Sequence, residues 1–204
     1  MSDARKVAFH IRSNRASSMF ARVWLLVEGE TEFWLLPELA RICGVNFPLE
    51  GIRCVEFAQA GLAPLIKFAD HLGIHWHVIC DGDDAGMKYQ KRARSLLGNR
   101  PEEQHITMLN CRDIEHFLWD NGFADTYRQA AAPRGEMNHY YRAALEQQPP
   151  LNDEEIISRA LRHHSKPGMA LEIAEAAEIK GRQAVPAVLQ NMFQTLQTLS
   201  EESS

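Results

Sequence analysis

The stretch LLVEGETE, residues 25–32, passes from an apolar run into two glutamates that lie four positions apart. The apolar run Val23–Val27 predicts a buried strand, and Gly29 permits a tight turn into a following helix. Glu28 then ends the strand and Glu32 lies one turn into the helix, where positions four apart share one face. Alone, Glu32 is better explained as a favourable acid at a helix start. Together, the two carboxylates are predicted to face one crevice.

Two further acidic clusters also follow short apolar runs. Asp81 and Asp83 occur in VICDGDDAG, and Asp113 and Glu115 occur in CRDIEHF. The carboxyl ends of parallel strands line one crevice, where ligands bind. Placing that many carboxylates together is electrostatically costly unless cations neutralise them. The pattern therefore predicts a divalent metal site and chemistry on phosphates.

Between residues 23 and 119 the apolar pattern alternates between strand and helix. Strands are predicted at 23–27, 52–57, 75–80 and 106–109, and helices at 31–43, 62–72, 84–97 and from 113 to 119. This order favours an α/β, Rossmann-like fold with a mainly parallel sheet of about four strands and helices on both faces.

After Gly122 the strand pattern stops and only helices are predicted. They cover 123–132, 136–147, 153–164, 169–180 and 185–199, and they are separated by prolines and a glycine: Pro133, Pro149, Pro150, Pro167, Gly181 and Pro186. We therefore predict a lead-in at 1–22, a catalytic domain at 23–122, a small all-helical domain at 123–200 and a frayed tail at 201–204.

Composition sets the broad class of this 204-residue chain. It is 45% hydrophobic and 24% charged, which is typical of a soluble globular protein. No apolar run approaches the ~20 residues that span a bilayer, and no secretory signal precedes the first strand. The four cysteines form no CxxC pair, which favours reduced thiols and a cytoplasmic location. The four tryptophans lie in or beside apolar elements and are predicted to be core residues.

A basic stretch follows the DGDD motif, although the net charge is −5. Its cations are Lys88, Lys91, Arg92, Arg94 and Arg100. Two interpretations stay open: these residues form the solvated face of an amphipathic helix, or they contact a nucleic-acid backbone beside the crevice. The negative net charge argues against a protein that coats nucleic acid generally.

The positions of Glu28 after the first strand and of Asp81 and Asp83 after the third resemble the Toprim domain of topoisomerases, primases, recombination mediators and certain nucleases. More narrowly, the chain resembles the carboxy-terminal region of OLD-family (overcoming lysogenisation defect) nucleases. The matching pieces are FARV running into LLVEGETE, then CDGDDAG, CRDIEHFL and SKPGMALEIAE, and they span nearly all of the chain.

This resemblance implies a metal-dependent DNA endonuclease that nicks and cleaves by two-metal catalysis with Mg²⁺ or Mn²⁺. Carried over by motif position, the metal-binding carboxylates are Glu28, Glu32, Asp81, Asp83, Asp113 and Glu115. Glu28, Asp81 and Lys166 are the implied catalytic residues, with Asp81 bridging the two ions and Lys166 stabilising charge on the phosphate. Alternatively, Lys166 is a surface lysine beside a proline.

The family resemblance also implies an amino-terminal ABC-type ATPase region in the full-length protein. This chain has no GxxxxGK[ST] loop, so no ATP site is expected in it. Two other functions stay open. One is a small Toprim ribonuclease of the ribosomal-RNA maturase kind, and the other is a Toprim module that binds or assembles on DNA without cleaving it.

Overall fold

The computed structural model of the protein describes residues 16–132 and 150–202. The predictions for residues 1–15, Pro133, the helix at 136–147 and Pro149 fall outside the described residues. The described end of the predicted lead-in forms a short 3-10 turn, Ala16–Phe20.

A four-stranded, wholly parallel sheet forms the centre of the fold. Its strands are β1 (Val23–Val27), β2 (Ile52–Glu56), β3 (His75–Cys80) and β4 (Ile106–Met108), in the order β2-β1-β3-β4. Leu26 pairs with Val78, so the carboxyl ends of β1 and β3 are neighbours. This order brings Glu28, which follows β1, close to Asp81, which follows β3, as the predicted fold requires.

Helices cover both faces of the sheet. They are α1 (Glu30–Ile42), α2 (Leu62–Leu72), α3 (Asp84–Arg94), α4 (Ile114–Leu118), α5 (Ala124–Ala131), α6 (Asp153–Lys180) and α7 (Ala187–Glu202). Between α4 and α5 the chain turns through Trp119–Phe123, with Gly122 at φ 97°. The predicted α/β class with a parallel four-stranded sheet is confirmed.

Strand β1 contributes to two hydrophobic cores because its side chains alternate between the faces of the sheet. Leu25 and Val27 belong to the core under α1 and the later helices, whereas Trp24 and Leu26 belong to the core under α2 and α3. The first core continues without a break to Tyr127 and other residues of the helical half. Within the described residues, the segment predicted as a separate helical domain thus shares its core with the sheet.

Three local predictions are wrong. Helix α3 ends at Arg94, three residues before Leu97, where it had been predicted to end. The predicted frayed tail includes Glu201 and Glu202, but α7 continues through Glu202 because Leu199 and Ser200 are buried. Trp34 is 47% exposed and is not a core residue, since it lies on the outer face of α1.

Helix α6 changes direction at Ser165, close to the predicted break around Pro167. Ser165 has φ 62° and ψ 168°, which is not a helical conformation. Lys166, Pro167 and Gly168 lie in the second helical segment, although the prediction had left them between two helices. Both segments pack into the first core, through Ile157 and Ala160 on one side of the break and Met169, Ala170 and Ile173 on the other.

His77 is fully buried between β3 and β4 and hydrogen-bonds at both ring nitrogens. Nδ1 lies 2.9 Å from the Gln104 carbonyl oxygen, and Nε2 lies 2.8 Å from Thr107 Oγ1. A neutral ring satisfies both contacts, with Nδ1–H donating to the carbonyl and the threonine hydroxyl donating to Nε2. Burial lowers the pKa of His77 to about 4, because the charged form loses its hydration.

We expect His77 to make the fold sensitive to acid. The unfolded chain takes up this proton near pH 6.5 and the folded chain only near pH 4, so the contribution of His77 to stability is constant above pH 6.5 and falls between these values. The loss approaches about 3 kcal/mol, at about 1.4 kcal/mol per pKa unit. Urea unfolding of wild type and His77→Gln from pH 4 to 8 should show a stability difference that shrinks as the pH falls. A difference independent of pH would contradict this prediction.

Candidate active site

Four carboxylates from three segments lie together at the carboxyl ends of β1 and β3. We call Glu28, Glu32, Asp81 and Glu115 the carboxylate cluster. Glu32 and Glu115 are buried, at 6% and 5% exposed, whereas Glu28 and Asp81 are half-buried. Sequence positions 28, 32 and 81 were predicted to share a crevice, and the sheet order brings them to it.

Asp81 lies at the electrostatic centre of this cluster. Burial, together with the surrounding negative charges, raises the pKa of Asp81 to about 8. The charges that contribute are those of Glu32, Glu28, Asp113 and Glu115. Burial is also the main cause that raises the pKa of Glu32 to about 7, and the charges of Glu115 and Glu28 act in the same direction. The cluster is therefore an arrangement of like charges that destabilises its own ionised form.

Two glycines allow the backbone to close around Asp81. A Cβ on Gly86 would lie 1.8 Å from the Asp81 carbonyl oxygen, so α3 can begin this close to β3 only with glycine at that position. The Gly82 amide donates to the Cys111 carbonyl oxygen at 2.7 Å, and a Cβ on Gly82 would lie 2.6 Å from the same oxygen. The DGD loop is thereby fixed against the loop that follows β4.

Glu115 is held in place by a hydroxyl and lies near an ammonium group. Thr31 Oγ1 donates to Glu115 Oε1 at 2.8 Å, across 84 positions of sequence. Lys166 Nζ lies 3.8 Å from the same oxygen, and its side chain is 54% exposed. The charge of Lys166 also opposes the rise in the pKa of Glu28 and of Glu32 that burial causes. Lys166 is therefore the cation of the cluster, and it keeps access to solvent.

Asp83 and Asp113, which were predicted as metal ligands, both cap helices. Asp83 Oδ1 accepts from the Gly86 amide at 2.7 Å at the start of α3. Asp113 Oδ1 accepts from the His116 amide at 2.8 Å at the start of α4. Burial alone would raise the pKa of Asp113, but the hydrogen bonds from His116 and Arg112 hold it below its usual value. Their predicted role as ligands stays a prediction.

Asp113 also belongs to a closed ring of four charged or polar side chains. His116 Nδ1 lies 2.5 Å from Asp113 Oδ1, and Arg112 Nε donates to Asp113 Oδ2 at 3.1 Å. Glu154 closes the ring, with Oε1 2.7 Å from Arg112 Nη2 and Oε2 3.2 Å from His116 Nε2. Because Glu154 lies in the first turn of α6, this ring ties that helix to the loop that carries Asp113.

Comparison with known proteins matches part of the chain to a family model. Residues 19–83 match the family model described as overcoming lysogenization defect protein-like, TOPRIM domain. The chain contains an OLD-like Toprim domain. The matched residues include Glu28, Glu32, Asp81 and Asp83, which are the acids of the first two sequence motifs.

The fold of this OLD-like Toprim chain is also that of solved carboxy-terminal regions of OLD proteins. The region from Burkholderia pseudomallei matches with a TM-score of 0.66 and 21% identity, covering 89% of this chain and 99% of that one. The region from Xanthomonas campestris pv. campestris matches with a TM-score of 0.68 and 19% identity, covering 91% and 99%. The two TM-scores establish a common fold, although the sequence identities are low.

A curated relative shares much more sequence with the OLD-like Toprim chain. It is the uncharacterized protein YbjD of Escherichia coli (strain K12), which is 48% identical over 193 residues. The match covers 94% of this chain and 33% of the relative, so the chain spans about a third of the relative's length.

The donor chemistry of the carboxylate cluster fits a hard divalent cation, because carboxylate oxygens are the ligands that Mg²⁺ and Mn²⁺ prefer. Within residues 16–132 and 150–202, no three His, Cys, Asp or Glu side chains already converge in an arrangement that could hold a metal ion. Like charges repel, so bringing these oxygens to one point requires a compensating positive charge.

The predicted nucleic-acid contacts of the OLD-like Toprim chain divide into two groups on α3. Lys88, Lys91 and Arg92 are exposed and share one face at spacings of three and four positions. Arg94 is engaged elsewhere, because its Nε donates to Glu102 Oε2 at 2.7 Å. The first three cations are thus the ones placed for an external anion.

Among the described helices, none combines the length and apolarity needed to span a membrane.

Thr31, Glu154 and Ser165 are the site residues that sequence reasoning missed. Thr31 holds Glu115, Glu154 holds Arg112 and His116, and Ser165 sets the start of the segment that carries Lys166. Nothing in a single sequence indicates the first two, since each acts on a residue at least 38 positions away. The sequence did indicate Ser165 locally, because the stretch Ser165–Lys166–Pro167 is a plausible N-cap region for the helix that follows, but it gave this serine no place in the site.

Proposed function

We propose that this chain is the catalytic part of a metal-dependent DNA endonuclease that hydrolyses phosphodiester bonds. The observation that carries this proposal is a half-buried cluster of four carboxylates with a single lysine reaching its margin. Such a cluster lowers the stability of the fold, and groups with perturbed pKa values of this kind concentrate at functional sites. The OLD-like family assignment supports the same class of activity.

The residues that would hold divalent ions are Glu28, Glu32, Asp81 and Glu115, with Asp83 and Asp113 at the edge of the cluster. When bound, two Mg²⁺ or Mn²⁺ ions supply an activated water and neutralise charge on the scissile phosphate. The protein contributes the placement: Thr31 fixes Glu115, and Gly82 and Gly86 fix the backbone on either side of Asp81. Glu28 follows β1 and lies near Asp81 and Asp83: burial and the charge of Asp83 raise the pKa of Glu28, and the charge of Glu28 contributes to the raised pKa of Asp81.

Lys166 would act directly on the phosphate. Its ammonium lies 3.8 Å from Glu115 Oε1, so it is at the cluster, and half of its side chain stays exposed to an incoming substrate. An ammonium in this position donates to a non-bridging phosphate oxygen as negative charge develops there. Lys88, Lys91 and Arg92 would contact the backbone of the same nucleic acid along α3.

In the full-length protein we propose that an amino-terminal ATPase region accompanies this domain. The support is that the curated relative is about three times as long as the matched segment. This chain has no phosphate-binding loop of the GxxxxGK[ST] kind. Detectable ATP hydrolysis by this chain alone would therefore contradict the proposal that the ATPase activity belongs to another region.

The experiment that tests the function is cleavage of supercoiled plasmid in Mg²⁺, Mn²⁺, Ca²⁺ and EDTA, with single-stranded DNA and structured RNA run beside it. Nicking and linearisation that require Mg²⁺ or Mn²⁺ support the proposal. Cleavage of RNA alone would replace it with the ribonuclease alternative. Plasmid binding without cleavage in any ion would favour the non-cleaving module.

Lys166→Gln is expected to reduce the cleavage rate by about 10²–10³-fold, because removal of one preorganised donor to a developing oxyanion has an effect of this size. Metal binding should be retained, since the cluster carboxylates are untouched. Lys180→Gln is a matched control on the same helix, because Lys180 Nζ donates to the Gly122 carbonyl oxygen and lies outside the cluster. Equal rates for both variants would remove Lys166 from the mechanism.

A further inference from the structure

Thr31 is a buried residue that connects two parts of the carboxylate cluster. It lies in the first turn of α1, is 2% exposed, and donates through Oγ1 to Glu115 Oε1 at 2.8 Å. Glu115 is buried as well. A hydrogen bond from a hydroxyl to an ionised carboxylate is stronger than one between neutral groups, and its effect is largest where water is scarce. Thr31 can therefore determine where the Glu115 carboxylate lies.

Glu32 follows Thr31 on the same helix and is also buried. The charge of Glu115 acts on Glu32, so the two carboxylates are neighbours. Like charges in a poorly hydrated site repel each other, and an untethered Glu115 could reduce this repulsion by adopting another rotamer. The bond from Thr31 opposes that change. Because Thr31 and Glu32 are consecutive residues of α1, one short segment fixes the spacing of both carboxylates.

The same bond distinguishes the two oxygens of Glu115. Within residues 16–132 and 150–202, Oε1 makes both polar contacts of this carboxylate, with the Thr31 hydroxyl and with Lys166 Nζ at 3.8 Å. Oε2 is thus the oxygen left for a cation. Carboxylates that bind metals are typically hydrogen-bonded in turn to an outer group that orients them. The contacts of Glu115 follow this arrangement.

We propose that Thr31 is a positioning residue of the metal centre, because its hydroxyl keeps Glu115 beside Glu32 and leaves one oxygen for a divalent ion. This inference rests on the proposed function in one respect: the cluster must bind Mg²⁺ or Mn²⁺. Thr31 contacts neither the ion nor the substrate in this role and acts through Glu115. The outer partners of metal ligands contribute about 10- to 100-fold to metal affinity, and Thr31 should have an effect of that size.

Thr31→Val and Thr31→Ser separate the hydroxyl from the packing. Valine keeps the branched shape and loses the hydroxyl, whereas serine keeps the hydroxyl and loses a buried methyl group. Both variants should have a lower melting temperature than wild type in EDTA. Calorimetric titration with MnCl₂ should give a Kd about 10- to 100-fold weaker for Thr31→Val and near the wild-type value for Thr31→Ser. Equal affinities of the two variants would overturn the positioning role, because the hydroxyl would then make no difference to metal binding.

Thr107→Val is the matched control on β4. The Thr107 hydroxyl donates to His77 Nε2 at 2.8 Å, so this variant loses a comparable hydrogen bond outside the carboxylate cluster. It should lower the melting temperature in EDTA and leave the Kd for Mn²⁺ unchanged. A loss of affinity as large as that of Thr31→Val would contradict the proposal, since it would show that lost stability alone weakens metal binding.

The titration needs no cleavage, so this inference and the proposed function fail in different ways. If wild type and Thr31→Val bind Mn²⁺ equally well, only the role of Thr31 is overturned. If Thr31→Val shows the expected loss but wild type cleaves no nucleic acid, the endonuclease proposal fails and the role of Thr31 stands. If wild type binds no Mn²⁺, the metal centre is overturned, and the role of Thr31 with it.

Discussion

Asp81→Asn is expected to abolish metal-dependent cleavage, by at least about 10³-fold, and at the same time to stabilise the metal-free protein. The loss of activity follows from the central position of Asp81 among Glu32, Glu28 and Glu115, where its carboxylate would hold the proposed divalent ions. The gain in stability follows from removing one charge from a cluster in which burial and neighbouring carboxylates raise the Asp81 pKa to about 8.

The pH dependence of this stabilisation has a definite sign. An aspartate ionises near pH 3.8 in the unfolded chain and near 8 in the folded one, so its cost to folding grows between these values. The advantage of Asp81→Asn should be absent near pH 4 and largest near pH 8. Because Asp81 is only half-buried, solvent screening reduces the effect to about 1–3 kcal/mol.

Denaturant unfolding in EDTA at pH 5 and pH 8 measures this advantage, and plasmid cleavage measures the loss. Added Mg²⁺ should raise the melting temperature of wild type and leave that of Asp81→Asn unchanged, since ligand binding to the folded state is what stabilises it. Asp84→Asn, at the exposed start of α3, is the matched control and should behave like wild type. Full activity of Asp81→Asn would refute the proposed metal centre.

Gly86→Ala is expected to destabilise the protein by at least about 3 kcal/mol, a size seen when a side chain is forced against backbone that cannot move. The new Cβ would lie 1.8 Å from the Asp81 carbonyl oxygen and 2.7 Å from its carbonyl carbon. Neither atom can retreat, because Asp81 directly follows β3 and its loop is bonded to Cys111 through Gly82.

Urea unfolding followed by circular dichroism measures this effect. Gly168→Ala is the control, since Gly168 also lies near the start of a helical segment, yet its Cβ would meet nothing closer than 3.4 Å. That variant should stay within about 1 kcal/mol of wild type, with alanine's helix propensity in its favour. A Gly86→Ala protein as stable as wild type would show that α3 does not begin against Asp81.

Several elements were predicted to the residue because their signals are local. Val23–Val27, Leu62–Leu72 and His75–Cys80 have the bounds that apolar periodicity and flanking glycines indicated. The ends of α3 and α7 were missed, because the point at which a helix stops depends on which side chains find a core. Trp34 was misplaced for a related reason: apolar character does not say which face of a helix turns outward.

The sequence by itself determined the order of strands and helices and the acids that end the strands, since each rests on spacing between near neighbours. Only the tertiary structure decided which groups each acid contacts. Asp83 and Asp113 cap helices, whereas Glu115 faces the cluster because Thr31 and Lys166 meet it there. The two caps are local contacts within three positions, whereas the contacts of Glu115 come from residues that only chain folding brings near it, with Thr31 lying 84 positions away.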